Sequence, residues 1–578
     1  MSSSNTSYAS LCPSLPVILL LLVAGNGHCH HAATSDRDTL LAVKRDWGSP
    51  RQLASWDPAT TADHCTWRGV TCAGGRGSDG GGGVVEELSL WGLNLSGTVP
   101  ASVCALKNLT RLELCCNNLS GPFPTTLYAC AHLRFLDLSY NAFTGPLPAD
   151  IDSLSPAMER LNLSTNNFDS AVPVAVTRLT ALKSLLLDYN HFTGAYPAGE
   201  ISDLVGLEEL TLGSNEFKPA PVPPDFAKLT KLKYLDLSAM SLNGSIPAWV
   251  WQHRKLEYVY MSDNRLSGEL PCDIMAMNLI ELDVSMNQHT GDIPEGLGNL
   301  KNLTWMSLDY NGFTGTIPAS ISLLPQLRYI SLFSNRLSGE LPPELGKHSA
   351  LQSLDVSGNI LSGSLPETLC ANRKLEDIIA SDNRFSGELS ISLGDCVLMR
   401  KLILYNNRFS GDFPAKIWSL PTLNSVDIRN NSFTGTLPSV ISFNISWISI
   451  MNNMFSGSFR MSAIGLQKFF ADNNQLTGEL PSDMSGLTNL IILSLSGNSI
   501  TGPIPTSIGL LENLGYLDLS SNRLCGPIPT SIKLLQNLGY LDLSNNRFSG
   551  AIPAGSIGLL RNLTKLDLSD NEFTSIQW

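Results

Sequence analysis

Positive charge is what this sequence has least of. Its 578 residues carry 38 Lys and Arg against 51 Asp and Glu, a net charge of −13, and only 15% of residues are charged at all. No basic stripe is available to neutralise phosphates, so nucleic acid is excluded as a partner. The same deficit argues against adhesion to anionic membranes or pectin. Long apolar runs are missing too. The run "LPVILLLLVAG" at 15–25 has eleven residues, too few to cross a bilayer, and no later stretch reaches eighteen, so no membrane segment is expected in this chain. That early run reads instead as a secretory signal over 1–30, cleaved between Gly25 and Ala33, although its start contains no Lys or Arg. Catalytic groupings are equally scarce. Histidines 64, 132, 191, 253, 289 and 348 are scattered singly, and "HCHH" at 28–31 falls at the expected cleavage point. No nucleophile is spaced to meet a base and no metal-ligand pattern survives, so neither an enzyme nor a cofactor is expected. "GGRGSDG" holds a G-x-G-x-x-G match at Gly75, Gly77 and Gly80. It leads into more glycine rather than from strand to helix, and reads as a Gly-rich loop over 73–83.

What the sequence has in abundance is one phrase. "LELCCNNLSGPFP" at 112–124 returns as "LDLSYNAFTGPLP" at 136–148 and "LDLSNNRFSGAIP" at 541–553. Aligned on the central Asn of L-x-L-x-x-N-x-L/F-x-G-x-x-P, twenty-one registers run from Leu93 to Asn571, almost always 24 residues apart, with Leu93 and Met240 replacing the Asn. That is the leucine-rich-repeat period. Alternate Leu residues point inward from a short strand, the Asn satisfies backbone groups left open by the turn, and Gly and Pro shape the bend that follows. No repeat can bury its own leucines, so each is stable only between neighbours. The expected fold is an α/β solenoid, a right-handed superhelix of about 21 repeats over 84–578 with the last one cut short. A parallel β-sheet lines its concave face, and strands ~4.8 Å apart make an arc of roughly 100 Å.

Residues 35–72 look like an N-terminal cap for that solenoid. Ser35 and Asp38 open a helix, and Leu40, Leu41, Lys44 and Trp47 follow at helical spacing. Cys65 and Cys72 are placed for a cap disulfide. Cys104 with Cys130, and Cys370 with Cys396, lie 11 and 13 residues after consecutive reference positions, which puts each pair at similar height on adjacent turns. Nine sequons follow the signal, at Asn94, Asn108, Asn118, Asn162, Asn243, Asn302, Asn430, Asn444 and Asn562, and they fit an exported glycoprotein. A glycan on Asn162, on the concave face, would keep ligand away from the early repeats.

The cap "DRDTLLAVKRDW…LASWDP…HCTWRGVTC", followed by these repeats, resembles plant receptor-like kinase ectodomains of the HAESA-like group. "LYACAHLRFLDLSYN", "DIDSLSPAMERLNLS", "FAKLTKLKYLDL", "LPETLC", "SLGDC" and "IWSLP…NNSFTG" carry the likeness, which spans about residues 35–575. The resemblance implies an extracellular sensor of secreted peptides, paired near its C-terminal repeats with a leucine-rich-repeat co-receptor kinase. It places the chain in the apoplast or on the outer face of the plasma membrane. The family continues into a transmembrane helix and a cytoplasmic kinase, absent from these residues, so a kinase-less product or a truncated receptor is expected. Several members hold a peptide's C-terminal carboxylate with Arg-x-Arg on one concave strand. The matching strand "RKLILYNN" at 400–407 offers Lys401 and Ile403 instead, without the bidentate forks. An alternative from another class is a secreted inhibitor of cell-wall-degrading enzymes such as polygalacturonase, whose relatives have about half as many turns.

Outward positions fall six, four and two residues before each reference Asn. Default Asp and Ser dominate them, as at Asp137, Asp236, Asp518 and Asp542, and on an open face their pKa values are expected to stay ordinary. The exceptions form a candidate ligand track: Tyr258, Tyr260, Trp305, Asp309, Tyr329, Phe333, Asp355, Asp377, Lys401, Tyr405, Arg429 and Trp447, with Ile379 and Asp427 beside them. Aromatic anchors followed by mixed charge suit an extended peptide, against the plainer reading that aromatics pack across strands.

Overall fold

The computed structural model describes residues 35–73 and 83–577. The signal segment at 1–30 and all but the ends of the Gly-rich loop lie outside the described residues. Each turn contributes a three-residue concave strand with its leucine pointing inward, as in Phe135–Asp137 around the buried Leu136. Leu112, Leu136 and Leu161 stand in register on consecutive turns, so each leucine is covered by the turns on either side. The sheet so built has 22 strands. Val70–Cys72 of the cap pairs antiparallel with Val85–Ser89, and the pairings that follow, turn upon turn, are parallel. On the opposite side a proline sets up a short 3-10 turn, as where Pro318 precedes Ala319–Leu323.

The reference Asn ties two turns together. Buried Asn166 donates Nδ2–H to Leu138 O, Leu163 O and Ser164 O at 2.9–3.2 Å, while its Oδ1 accepts from Phe143 N–H at 3.0 Å. One side chain thus satisfies groups of its own turn and of the turn before it. At the two registers lacking Asn, the next turn compensates. Asn117 Oδ1 accepts from both Leu93 and Leu95 N–H, and Asn264 Oδ1 from both Met240 and Leu242 N–H.

A column of phenylalanines runs behind the sheet, with Phe143, Phe168, Phe192 and Phe217 stacked ring on ring at 6.0–6.5 Å. His289 occupies the same column against Phe313. It is buried, its Nδ1 meets Gly268 O at 3.2 Å, and its Nε2 has no partner. Burial holds its pKa below the usual 6.5, so the fold favours the neutral ring. The stability this ring permits is therefore fully present above the unfolded-state value and is lost as pH falls below it. His289→Phe is expected to raise stability by about 1 kcal/mol at pH 7.5. The gain should widen toward pH 5, read as urea midpoints at the two pH values.

The cap closes the first turn by polar reach as well as by packing. Ser35 Oγ accepts from Asp38 N–H to start the helix Asp36–Asp46. Asp36 accepts from Val85 N–H, Trp47 Nε1–H reaches Thr98 O, and Trp56 stacks on Trp67 at 6.2 Å. Disulfides join Cys65–Cys72, Cys104–Cys130 and Cys370–Cys396. Cys115, Cys116, Cys272 and Cys525 are free thiols. Burial above all pushes the Cys115 thiol up to about 12. Cys116 sits at φ 60, in the left-handed position that precedes the Asn in most turns.

Candidate functional site

Parallel pairing lines up the outward residues of successive strands. Tyr258, Glu281, Trp305, Tyr329, Ser353, Asp377, Lys401, Ser425 and Trp447 form one in-register row across nine turns. The row opens aromatic and acidic. Tyr234 lies 5.5 Å from Tyr258 and 5.4 Å from Tyr260, ring centre to ring centre, and Tyr260 Oη donates to Glu281. Burial, then the Glu281 hydrogen bond, raises the Tyr260 phenol. Burial, then the carboxylates of Asp236, Asp188 and Glu281, pushes Tyr234 up to about 12. In the middle, Trp305 packs on Tyr329 at 4.9 Å and Tyr310 meets Phe333 edge-on at 4.8 Å. Farther along, Asp377 stands beside Lys401. The Arg429 guanidinium covers the Tyr405 ring at 4.3 Å and reaches Asp427 at 2.8 Å.

Several expected site residues behave differently. Asp309 is only 6% exposed and accepts from Ser307 Oγ, whereas its neighbour Tyr310, not anticipated from sequence, is 53% exposed. Asp427, also buried, lies beneath Arg429. Six carboxylates of this face depart from ordinary pKa values. Burial raises Asp188, Asp236, Asp355, Asp377, Asp427 and Asp518, with Lys401 opposing it at Asp377 and Arg429 at Asp427. The cause is crowding, because strands ~4.8 Å apart let large side chains cover short ones. Phe333, Asp355, Tyr405 and Trp447 are partly exposed and Lys401 is exposed. Tyr234 and Glu281 complete the tyrosine cluster. Tyr234 was legible as a non-default outward residue one turn before the track.

The sequons separate as well. Asn162 is 7% exposed; its Nδ2 donates to Asp137 Oδ2 and Ser139 Oγ, and its Oδ1 accepts from Ser164. A glycan there would have to displace these hydrogen bonds. Asn430 belongs to a row along the rim in which each Nδ2–H points to the turn before. Asn406 donates to Asp382 at 2.6 Å, Asn430 to Asn406, Asn452 to Asn430, and Asn473 to Asn452 at 2.8 Å. All five adopt φ between 52 and 57, a region that suits Asn and Asp. Asn94, Asn108, Asn118, Asn243, Asn302, Asn444 and Asn562 are exposed.

Among the described residues, His64, Cys65 and Cys72 are the one group close enough to share a metal ion. The disulfide removes both thiols, and His64 Nε2 is turned to Gly83 O at 2.9 Å. No helix among the described residues is long and apolar enough to cross a membrane.

The family models matched are a leucine rich repeat N-terminal domain at 33–73 and leucine rich repeats in ten segments from 108–130 to 537–559, with a further one at 560–575. Receptor-like protein 52 of Arabidopsis thaliana is 51% identical over 271 residues, 46% of this chain and 32% of that protein. Polygalacturonase inhibitor 2 of Phaseolus vulgaris is 36% identical over 104 residues, 18% of this chain and 29% of that protein. These alignments thus span about a third of the two relatives' lengths. The Arabidopsis receptor kinase HAESA, solved with the peptide hormone IDA and the co-receptor SERK1, superimposes with a TM-score of 0.84. It is 35% identical, covering 93% of this chain and 94% of that one.

Proposed function

Because the chain belongs to the leucine-rich-repeat receptor ectodomains of plants, we propose that it recognises a secreted peptide stretched along its concave face and signals by pairing with a leucine-rich-repeat co-receptor kinase. The observation that carries this reading is the in-register row from Tyr258 to Trp447, with aromatic side chains over its first turns and Lys401, with Arg429 beside the row, farther along. Exposed aromatic side chains gathered on one surface mark a binding face. The HAESA structure holds a peptide hormone and a co-receptor, which supports the same use of this face. Its outer-surface location follows from that role. Lys401 supplies one cation at the place where an Arg-x-Arg would stand, with Ile403 as its apolar companion, so a peptide carboxylate would be held by a single point charge.

The polygalacturonase-inhibitor match supports a second reading. Both are tested together by secreting the protein, selecting from a random peptide display library on it, and assaying it against a fungal polygalacturonase. Enriched peptides competing for one site are the expected result. Clear inhibition of the polygalacturonase with no peptide enrichment would replace the receptor reading by the inhibitor one.

A further inference from the structure

Two turns of the solenoid are short. The step from Asn431 to Asn453 is 22 residues and from Asn453 to Asn474 is 21. Neither carries the 3-10 turn found in most others; extended backbone takes its place, with Val440 bridged to Ser462 and Ser462 N–H donating to Ser439 O at 2.9 Å. The chains run so close that a Cβ on Gly465 would lie 1.9 Å from Phe443 O. Along this stretch Ile441 is buried while its neighbour Val440 is turned out, and Phe443 is exposed in the turn that follows. Val440 is 69%, Phe443 71% and Ile464 60% exposed. Together they form an apolar patch on two adjacent turns, away from the concave strands.

The residue after Phe443 is Asn444, and Asn444-Ile445-Ser446 is a sequon. Asn444 is exposed, and its Nδ2 has one hydrogen engaged by Pro421 O and the other free. We propose that Asn444 carries an N-glycan whose first sugar lies over the Phe443 ring and covers the Val440–Phe443–Ile464 patch. The apolar C–H face of a pyranose matches an aromatic face, and a sugar linked to the adjacent residue is presented at high effective concentration. The glycan is thus a structural cover, built into the chain, for surface that shortening the two turns leaves bare. None of the other exposed sequons directly follows an aromatic residue.

The test is to secrete the protein from plant cells and measure glycopeptide occupancy by mass spectrometry, then hydrophobic-dye binding before and after enzymatic deglycosylation of the folded protein. Near-complete occupancy at Asn444 is expected, with a rise in dye fluorescence of about twofold or more on full removal. Trimming each glycan to its first sugar should leave the signal low. Asn444→Gln should reproduce the rise and Asn108→Gln should not; Phe443→Ser in the Asn444→Gln background should cancel it. An unmodified Asn444 in the folded secreted protein would overturn the proposal. So would an unchanged dye signal after deglycosylation, or a glycosylated wild type that dimerises through this patch and becomes monomeric in Phe443→Ser.

Discussion

Alanine at Tyr260, Trp305 and Tyr329 together is expected to weaken binding of a library-selected peptide by about two to three orders of magnitude, or ~3–4 kcal/mol. These rings are at least partly exposed, Trp305 and Tyr329 touching each other and Tyr260 touching Tyr234 across strands, so the variant loses contact surface without opening the core. The inward residues of the same strands, Val259, Met306 and Ile330, keep their full cover from adjacent turns. Dissociation constants by calorimetry, with thermal midpoints as the control for folding, provide the measurement. An unchanged affinity in a folded variant would reduce the aromatic row to sheet support.

The second large effect concerns stability. Asn190→Leu should destabilise its neighbourhood by about 2–3 kcal/mol, the range for stranding buried polar groups. Asn190 donates to Leu163 O, Leu187 O and Asp188 O and accepts from Phe168 N–H at 3.0 Å. The natural Leu93 and Met240 registers show what relief is available, since the following Asn takes on the N–H of the substituted residue itself. At position 190 the backbone N–H already donates to Ser214 O at 3.3 Å, and Asn215 Oδ1 accepts from Phe192 N–H. With Asn190 Oδ1 gone, Phe168 N–H loses its acceptor, and that orphan sets the penalty. Hydrogen exchange should show lost protection centred on residues 163–192 and spared turns far away, because each turn contacts only its neighbours. Protection lost uniformly along the chain would contradict this account.

These two predictions differ in how far sequence alone supports them. Asn190 is legible from the period, because a solenoid repeats the same backbone problem every turn and needs the same side chain to solve it. The register of Tyr258, Trp305 and Tyr329 follows from the same arithmetic. What the period does not encode is which outward side chain covers which. Asp309 and Tyr310 are adjacent letters, yet the carboxylate folds onto Ser307 while the phenol stands out against Phe333. Asn162 reads as a surface sequon until its amide is seen bridging Asp137 and Ser139. Both outcomes depend on the sizes of side chains one strand away, a cross-strand property invisible within any single repeat.

The row of rim amides from Asn406 to Asn473 has a consequence of its own. Its four side-chain dipoles all point one way, hydrogen toward the early turns and oxygen toward the late ones. Asp382 takes the hydrogen at one end, as a carboxylate does at the start of a helix, and Asn473 Oδ1 faces the side-chain-free Gly497 at the other. A β-solenoid has little polarity along its length, since its strands lie across that axis. Here a stretch of five turns gains one from side chains alone. The rim therefore has a direction, and a molecule laid along it meets donors leading in one orientation and acceptors leading in the other.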